Sequence, residues 1–169
     1  VLIGRKPSGT LLLQNLLPGR TLYLLATGTG LAPFMSVIRD PELYERFARV
    51  VLVHGCRHVA ELAYREQITT QLRDDPYLGD AVRQQLHYYP TVTREPFVHQ
   101  GRIPALLEDG QLGRDLALPP LDAQHDRFML CGSPDMLRDT RVVLERRGLA
   151  EGNMSRPGHY VIERAFADR

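Results

Sequence analysis

A few glycines and three arginines carry the chemistry that this chain's spacing suggests. Gly28 and Gly30 lie in Ala26-Thr-Gly-Thr-Gly-Leu-Ala-Pro33. They match two positions of the Gly-x-Gly-x-x-Gly fingerprint, in which glycines allow a tight turn and close approach of backbone to a diphosphate. Pro33 stands where the third glycine would be, and proline suits the first turn of a helix. A strand-to-helix turn packed tightly for its own sake would look the same. Arg57 follows His54-Gly-Cys, where a fold that takes NAD ordinarily places an acidic residue on the ribose hydroxyls. Glu61 is close by, but it falls where a helix should begin and suits that helix's dipole. Arg94 follows Thr93, and Arg102 lies in Gly101-Arg-Ile-Pro104. Three guanidinium forks beyond neighbouring strands fit a phosphate monoester. The expectation is a 2′-phosphate pocket, hence NADP(H); the plain alternative is three solvated surface arginines.

Cys131-Gly-Ser-Pro-Asp135 carries the next candidates. Gly132 would let a nicotinamide or ribose come close. Cys131 could touch the reacting carbon, or be the small buried residue that a free cysteine usually is. No base adjoins it in sequence, so it does not read as a nucleophile. His54, Cys56 and His58 alternate without zinc-ligand spacing, so no metal site is expected.

These residues need elements to hold them at one edge. Thr21–Ala26 and Val50–His54 are nearly continuous apolar runs, the kind buried on both faces of a parallel sheet. Gln85–Thr93 and Phe128–Cys131 read as two more strands, and Tyr160–Ala165 as a terminal one. Pro90 puts the third strand at an edge or makes it irregular. Helices are expected over about 32–39, over Glu61–Arg73 with Tyr64, Ile68 and Leu72 on one face, over Ile103–Glu108, and over Asp135–Arg147. The last has Ser133 as its cap, Pro134 at its first position and Gly148 at its end. Gly110–Pro120 reads as a loop with at most a helical turn. Alternating strands and helices imply an α/β, doubly wound, mostly parallel five-stranded sheet. Such sheets bind ligands at the carboxyl ends of their strands, where the residues above fall.

The chain has 169 residues and a formal net charge of +1, which gives no general argument for nucleic acid or a membrane surface. No apolar run approaches the ~18 residues that span a bilayer. Two cysteines are too few for a disulfide framework or a cysteine-ligated iron–sulfur cluster. A reduced, cytoplasmic setting follows as the expectation. Pro18-Gly19 sets off the first 19 residues as a separate unit.

Leu25-Ala-Thr-Gly-Thr-Gly-Leu-Ala-Pro-Phe34, Val53-His-Gly-Cys-Arg57, Val92-Thr-Arg-Glu95, Gly101-Arg-Ile-Pro104, Met129-Leu-Cys-Gly-Ser-Pro-Asp-Met136 and Pro157-Gly-His-Tyr-Val-Ile-Glu-Arg-Ala-Phe166 occur in this order. Together they resemble the bacterial ferredoxin/flavodoxin–NADP reductases over essentially the whole chain. The resemblance implies two domains, an antiparallel β-barrel for FAD and an α/β domain for NADP(H). The barrel's Arg-x-Tyr-Ser motif has no match here. Residues 1–19 therefore look like a stub of that barrel and residues 20–169 like the NADP-binding domain. A first residue of Val1 rather than methionine is what a chain cut from a longer flavoenzyme would show.

By position the resemblance implies that Thr29 lies near flavin and nicotinamide. Arg57, Arg94 and Arg102, with Thr93 assisting, take the 2′-phosphate. Ser133, Pro134, Asp135 and Asp139 contact the nucleotide or shape its loop. Cys131 and Glu163 border the hydride-transfer site, where Glu163 relays protons or orients the ring. Ala165 and Phe166 cover the flavin, with alanine where plant-type relatives end in tyrosine. The implied reaction is hydride transfer between NADP(H) and FAD, with single electrons passed to ferredoxin or flavodoxin by a monomer. Two other readings stay open: a related reductase serving another acceptor such as an oxygenase, and a non-catalytic NADP-binding module.

Overall fold

The computed structural model describes residues 10–163. Five strands, β1 (Thr21–Thr27), β2 (Arg49–Cys56), β3 (Leu86–Val92), β4 (Asp126–Cys131) and β5 (Tyr160–Glu163), form one sheet in the order β3-β2-β1-β4-β5. All four pairings are parallel. β1 is central, and the strand order reverses across it, which makes the carboxyl end of the β1–β4 pair the switch point where such sheets open a crevice. Pro90 has no N–H to give a ladder, and β3 is an edge strand, as the proline predicted.

Helices cover both faces because side chains alternate along each strand. Leu22, Leu24, Val50, Leu52, Met129 and Val161 pack on α1 (Leu31–Val37), α2 (Pro41–Arg46) and α3 (Gly79–Gln85). Tyr23, Leu25, Val51, Val53, Phe128, Leu130 and Tyr160 face α4 (Ile103–Glu108), α5 (Gln111–Asp115) and α6 (Pro134–Arg146). Both layers are fully formed around strands whose central residues have no solvent exposure. Each such aliphatic side chain contributes about 1.5–3 kcal/mol by leaving water.

α6 forms as its sequence signals dictate. The Ser133 hydroxyl accepts from the Met136 N–H at 3.3 Å, Pro134 sits in the first turn, and Gly148 takes φ +78° after the last turn. The buried face is Met136, Leu137, Thr140, Val143 and Leu144.

The helix expected over Glu61–Arg73 is broken. Val59–Glu61 is an isolated 3-10 turn, and Gln67–Gln71 is a π-turn closed by the Leu72 N–H on the Gln67 carbonyl. Ile68 and Leu72 are buried as expected, but Tyr64 is 43% exposed with φ +61° and does not share their face. Glu61 does cap a helical start, its carboxylate accepting the Arg57 and His58 N–H groups at 2.8 and 3.1 Å, but the chain leaves helical backbone one residue later, at Leu62 with ψ 74° and then at Tyr64. α3 and α5, seven and five residues long, carry too little periodicity to be read from sequence.

Residues 10–19 hold a 3-10 turn, Leu13–Asn15, and pack on the sheet through Leu13 and Leu16. They are stitched to the approach to β5: Leu17 N–H donates to Gly158 O at 2.9 Å, and Gly158 N–H to Asn15 O at 3.0 Å.

Candidate functional site at the carboxyl edge

Gly28, Thr29 and Gly30 form a 3-10 turn between β1 and α1. Gly28 has φ +52°, a left-handed conformation that glycine adopts without strain, and a side chain added there would point into open space. Gly30 is constrained differently. A Cβ on it would lie 2.2 Å from the Cys131 carbonyl oxygen. The β1 and β4 loops therefore touch backbone to backbone. Thr27 completes the seam, its hydroxyl accepting the Ser133 N–H at 2.9 Å, while a Cβ on Gly132 would lie 2.1 Å from that same oxygen. Pro33 lies within α1 and is half-buried.

On the other side of β1 the loops after β2 and β3 continue the ladder beyond the strands. Thr93 N–H donates to Cys56 O at 3.1 Å and Arg94 N–H to Arg57 O at 3.0 Å. The β3 loop is drawn back by the Thr91 hydroxyl on Gly101 O at 2.9 Å, which sets Arg102 as the cap residue of α4. Arg57, Arg94 and Arg102 are exposed. Among the described residues none of the three guanidiniums takes part in an ion pair, a state they share with other arginines such as Arg20, Arg49 and Arg73; what sets them apart is their place beyond neighbouring strands. Glu61 serves this edge as scaffold: the His58 and Arg57 N–H groups hold its carboxyl below the ordinary range. Glu95 braces it from the other loop, accepting the Val59 N–H and lying 3.7 Å from the His58 ring.

Cys131 pairs in register with Glu163 across β4 and β5. The Cys131 thiol is fully enclosed, and burial, with the Glu163 charge behind it, pushes its pKa up to about 11. It is a thiol packed in the core beneath the edge. The Glu163 carboxylate accepts the Thr10 N–H at 2.7 Å, and the one Thr10 hydroxyl proton is shared between that carboxylate at 2.8 Å and Ile162 O at 2.6 Å. Asp135 and Asp139 are both engaged by Arg138, at 2.9 and 3.0 Å. Ala165 and Phe166 lie outside the described residues.

The structure thus brings Gly28–Gly30, Gly132 and Ser133 to one seam, and Arg57, Thr93, Arg94 and Arg102 to a second cluster one strand away. His54 links the two. Its Nε2 lies 3.1 Å from the Gly28 carbonyl oxygen and 3.4 Å from the Cys56 sulfur. Burial holds its pKa below the ordinary histidine value. His58 turns away toward Glu95, and no group of three metal-ligating side chains occurs among the described residues. Thr27 and His54 stand inside the motifs but were not singled out as parts of the site, because their partners, Ser133 and Gly28, lie 106 and 26 residues away in sequence. Among the described residues no helix is long and apolar enough to cross a membrane.

Residues 24–142 match the family described as the oxidoreductase NAD-binding domain. The chain is 59% identical over 167 residues to ferredoxin–NADP reductase A of Sorangium cellulosum, covering 99% of this chain and 60% of that protein. It is 54% identical over 170 residues to the ferredoxin–NADP reductase of Azotobacter vinelandii, covering 100% of this chain and 66% of that one. The chain therefore spans about three-fifths to two-thirds of these relatives' length. Among solved structures, a ferredoxin NADP+ reductase from Neisseria gonorrhoeae with bound FAD and NADP superposes with a TM-score of 0.79 at 31% identity, over 92% of this chain and 60% of that one.

Proposed function

The chain belongs to the oxidoreductase NAD-binding domain family and groups with the bacterial ferredoxin–NADP reductases, and from that premise we propose that it is the NADP(H)-binding part of such a reductase. Residues 20–169 form the nucleotide domain in this reading, and residues 1–19 are the end of a barrel that carries FAD in the longer protein. The observation that carries it is the set of three exposed guanidiniums, Arg57, Arg94 and Arg102, with no ion-pair partner among the described residues; the Arg94 N–H joins the first two loops at the Arg57 carbonyl, 3.0 Å away, and the Thr91 hydroxyl ties in the third at Gly101 O, 2.9 Å away. A 2′-phosphate supplies the charge they lack, and Thr93 adds a hydroxyl beside them.

The glycine turn at 28–30 fits the group next in line. Gly28 leaves its outer side open, so a diphosphate can meet bare backbone there. Ser133, Pro134 and Asp135 are exposed at the head of α6, across the seam from Thr29. Bound in this way, the nicotinamide of NADP(H) supplies or takes up a hydride. The chain's own part is to orient it: Gly132, having no side chain, lets the β4 loop close on Thr27, and Thr10 holds the Glu163 carboxylate at the rim. Cys131 supports the floor from below and needs no ionisation for that role. The same proposal places the enzyme in the cytoplasm as a monomer that exchanges single electrons with ferredoxin or flavodoxin.

The test is cofactor discrimination. Losing a charge-assisted hydrogen bond costs about 1.5–3 kcal/mol. Arg57→Ala and Arg94→Ala should each weaken NADPH by about tenfold or more and leave NADH nearly unchanged, read by titration calorimetry. Equal losses for both nucleotides sink the 2′-phosphate assignment. Adding FAD to the same protein separates a flavin-competent chain, which turns yellow and gains diaphorase activity, from a nucleotide-binding module alone.

A further inference from the structure

His54 has no solvent exposure, yet it occupies the sheet face that Val50 and Leu52 fill with aliphatic side chains. Its ring is not there for packing alone. A carbonyl oxygen can only accept, so the nitrogen 3.1 Å from Gly28 O, Nε2, bears the hydrogen and donates it. Cys56 directs its own S–H to the Glu61 carbonyl at 3.4 Å. The other ring nitrogen, Nδ1, is buried with no partner among the described residues. A buried polar atom left unpaired is a standing cost, and it persists where the rest of the side chain is needed.

The need lies in the peptide joining Gly28 to Thr29. That peptide is planar and trans, so its carbonyl and N–H point in opposite directions. A Gly28 carbonyl held inward by His54 leaves the Thr29 N–H facing outward at the carboxyl edge. Among the described residues the Gly28 carbonyl, on a residue at φ +52° with open space around it, has besides His54 only the turn's local bond from Leu31.

We propose that His54 is a positioning residue for the nucleotide: by donating to the Gly28 carbonyl, it fixes the peptide plane that presents the Thr29 N–H to the diphosphate. The proposal rests on the NADP(H) reading above, and the experiment separates the two. The purified chain is titrated with NADP+ and with adenosine 2′-monophosphate, which engages the arginines but has no diphosphate. In H54L, NADP+ affinity falls about tenfold, the scale of one hydrogen bond, while adenosine 2′-monophosphate binds as in the wild type. In H54Q, whose amide N–H reaches the same carbonyl, NADP+ affinity stays near the wild-type value. Should H54L not fold, H54N, whose amide stops short of Gly28, carries the same expectation.

Unchanged NADP+ affinity in H54L overturns the proposal. So does an equal loss for both ligands, which is what general loosening of the fold would give, and so does H54Q binding as weakly as H54L. A wild type that binds neither ligand brings down the nucleotide reading, and the role of His54 falls with it.

Discussion

Gly28 and Gly30 belong to one turn but answer to different constraints, and substitution separates them. At Gly28 the obstacle is backbone conformation: an L-residue at φ +52° costs about 1–2 kcal/mol, with no steric clash to add. At Gly30 the conformation is ordinary, and the obstacle is the Cys131 carbonyl oxygen 2.2 Å from a new Cβ. Backbone must move to relieve that overlap, at about 3 kcal/mol or more, the upper end of overpacking. Chemical denaturation should therefore rank Gly30→Ala well below Gly28→Ala in stability; the reverse order would mean that the β1–β4 seam is looser than its geometry. Cys131 itself should resist thiol reagents in the native protein, being enclosed and raised to about 11. These glycines and the three arginines were legible from sequence because their constraints are local: a turn type, and charges beyond strand ends. His54 was not, because its partner is 26 residues away and no periodicity marks the contact.

At the scale of elements, the strands were legible because buried parallel strands are continuous apolar runs, and α6 because its cap, proline and terminal glycine all agree. The 61–73 segment was misread because Tyr64, Ile68 and Leu72 have helical spacing while the backbone leaves the helix at Leu62, just after the turn that Glu61 caps. Tyr64 is left at φ +61°, where glycine is at ease and a bulky residue is not. Tyr64→Gly should be more stable than Tyr64→Ala by about 1–2 kcal/mol, the inverse of their order inside a regular helix; a stability advantage for alanine would place this residue in ordinary helical backbone.

Arg127 shows how elements are tied without a motif. It is 4% exposed, and its guanidinium donates to the carbonyls of Leu17, Pro18, Ala123, Gln124 and Asp126. It thereby joins the segment entering β1 to the loop entering β4. Arg127→Met leaves those carbonyls without their donor and should cost about 1–3 kcal/mol or more in urea unfolding, the scale of leaving buried acceptors unpaired. Arg127→Lys should fall between, because an ammonium has fewer donors and no fork.

For the molecule as a whole, the same burial that builds the two layers makes stability depend on pH. His54 on β2, His87 on β3 and His159 before β5 are each held below the ordinary value of 6.5, in every case chiefly by burial. The folded state keeps them neutral to lower pH than the unfolded chain does. Below 6.5 the unfolded state therefore binds more protons, and stability falls as pH drops from there toward the folded values; above 6.5 the three contribute no slope. The carboxyls held low, Glu61, Asp75, Asp115, Asp122 and Glu145, start from ordinary values of 4.5 or 3.8 and act at more acid pH. Asp126, raised by burial, works in the opposite sense, its folded form taking up a proton before the unfolded chain does. Between pH 7.5 and 5.5 the three histidines are the shifted groups that lower stability as pH falls. The melting temperature should be lower at pH 5.5, and His54→Gln should shrink that drop more than His87→Gln, because His54 has no solvent exposure while His87 is half-buried. A drop of the same size in His54→Gln and wild type would mean that the ring takes up its proton within the fold. In that case Nδ1 must have found an acceptor, and the buried link between the glycine turn and the arginine cluster would be charged rather than neutral.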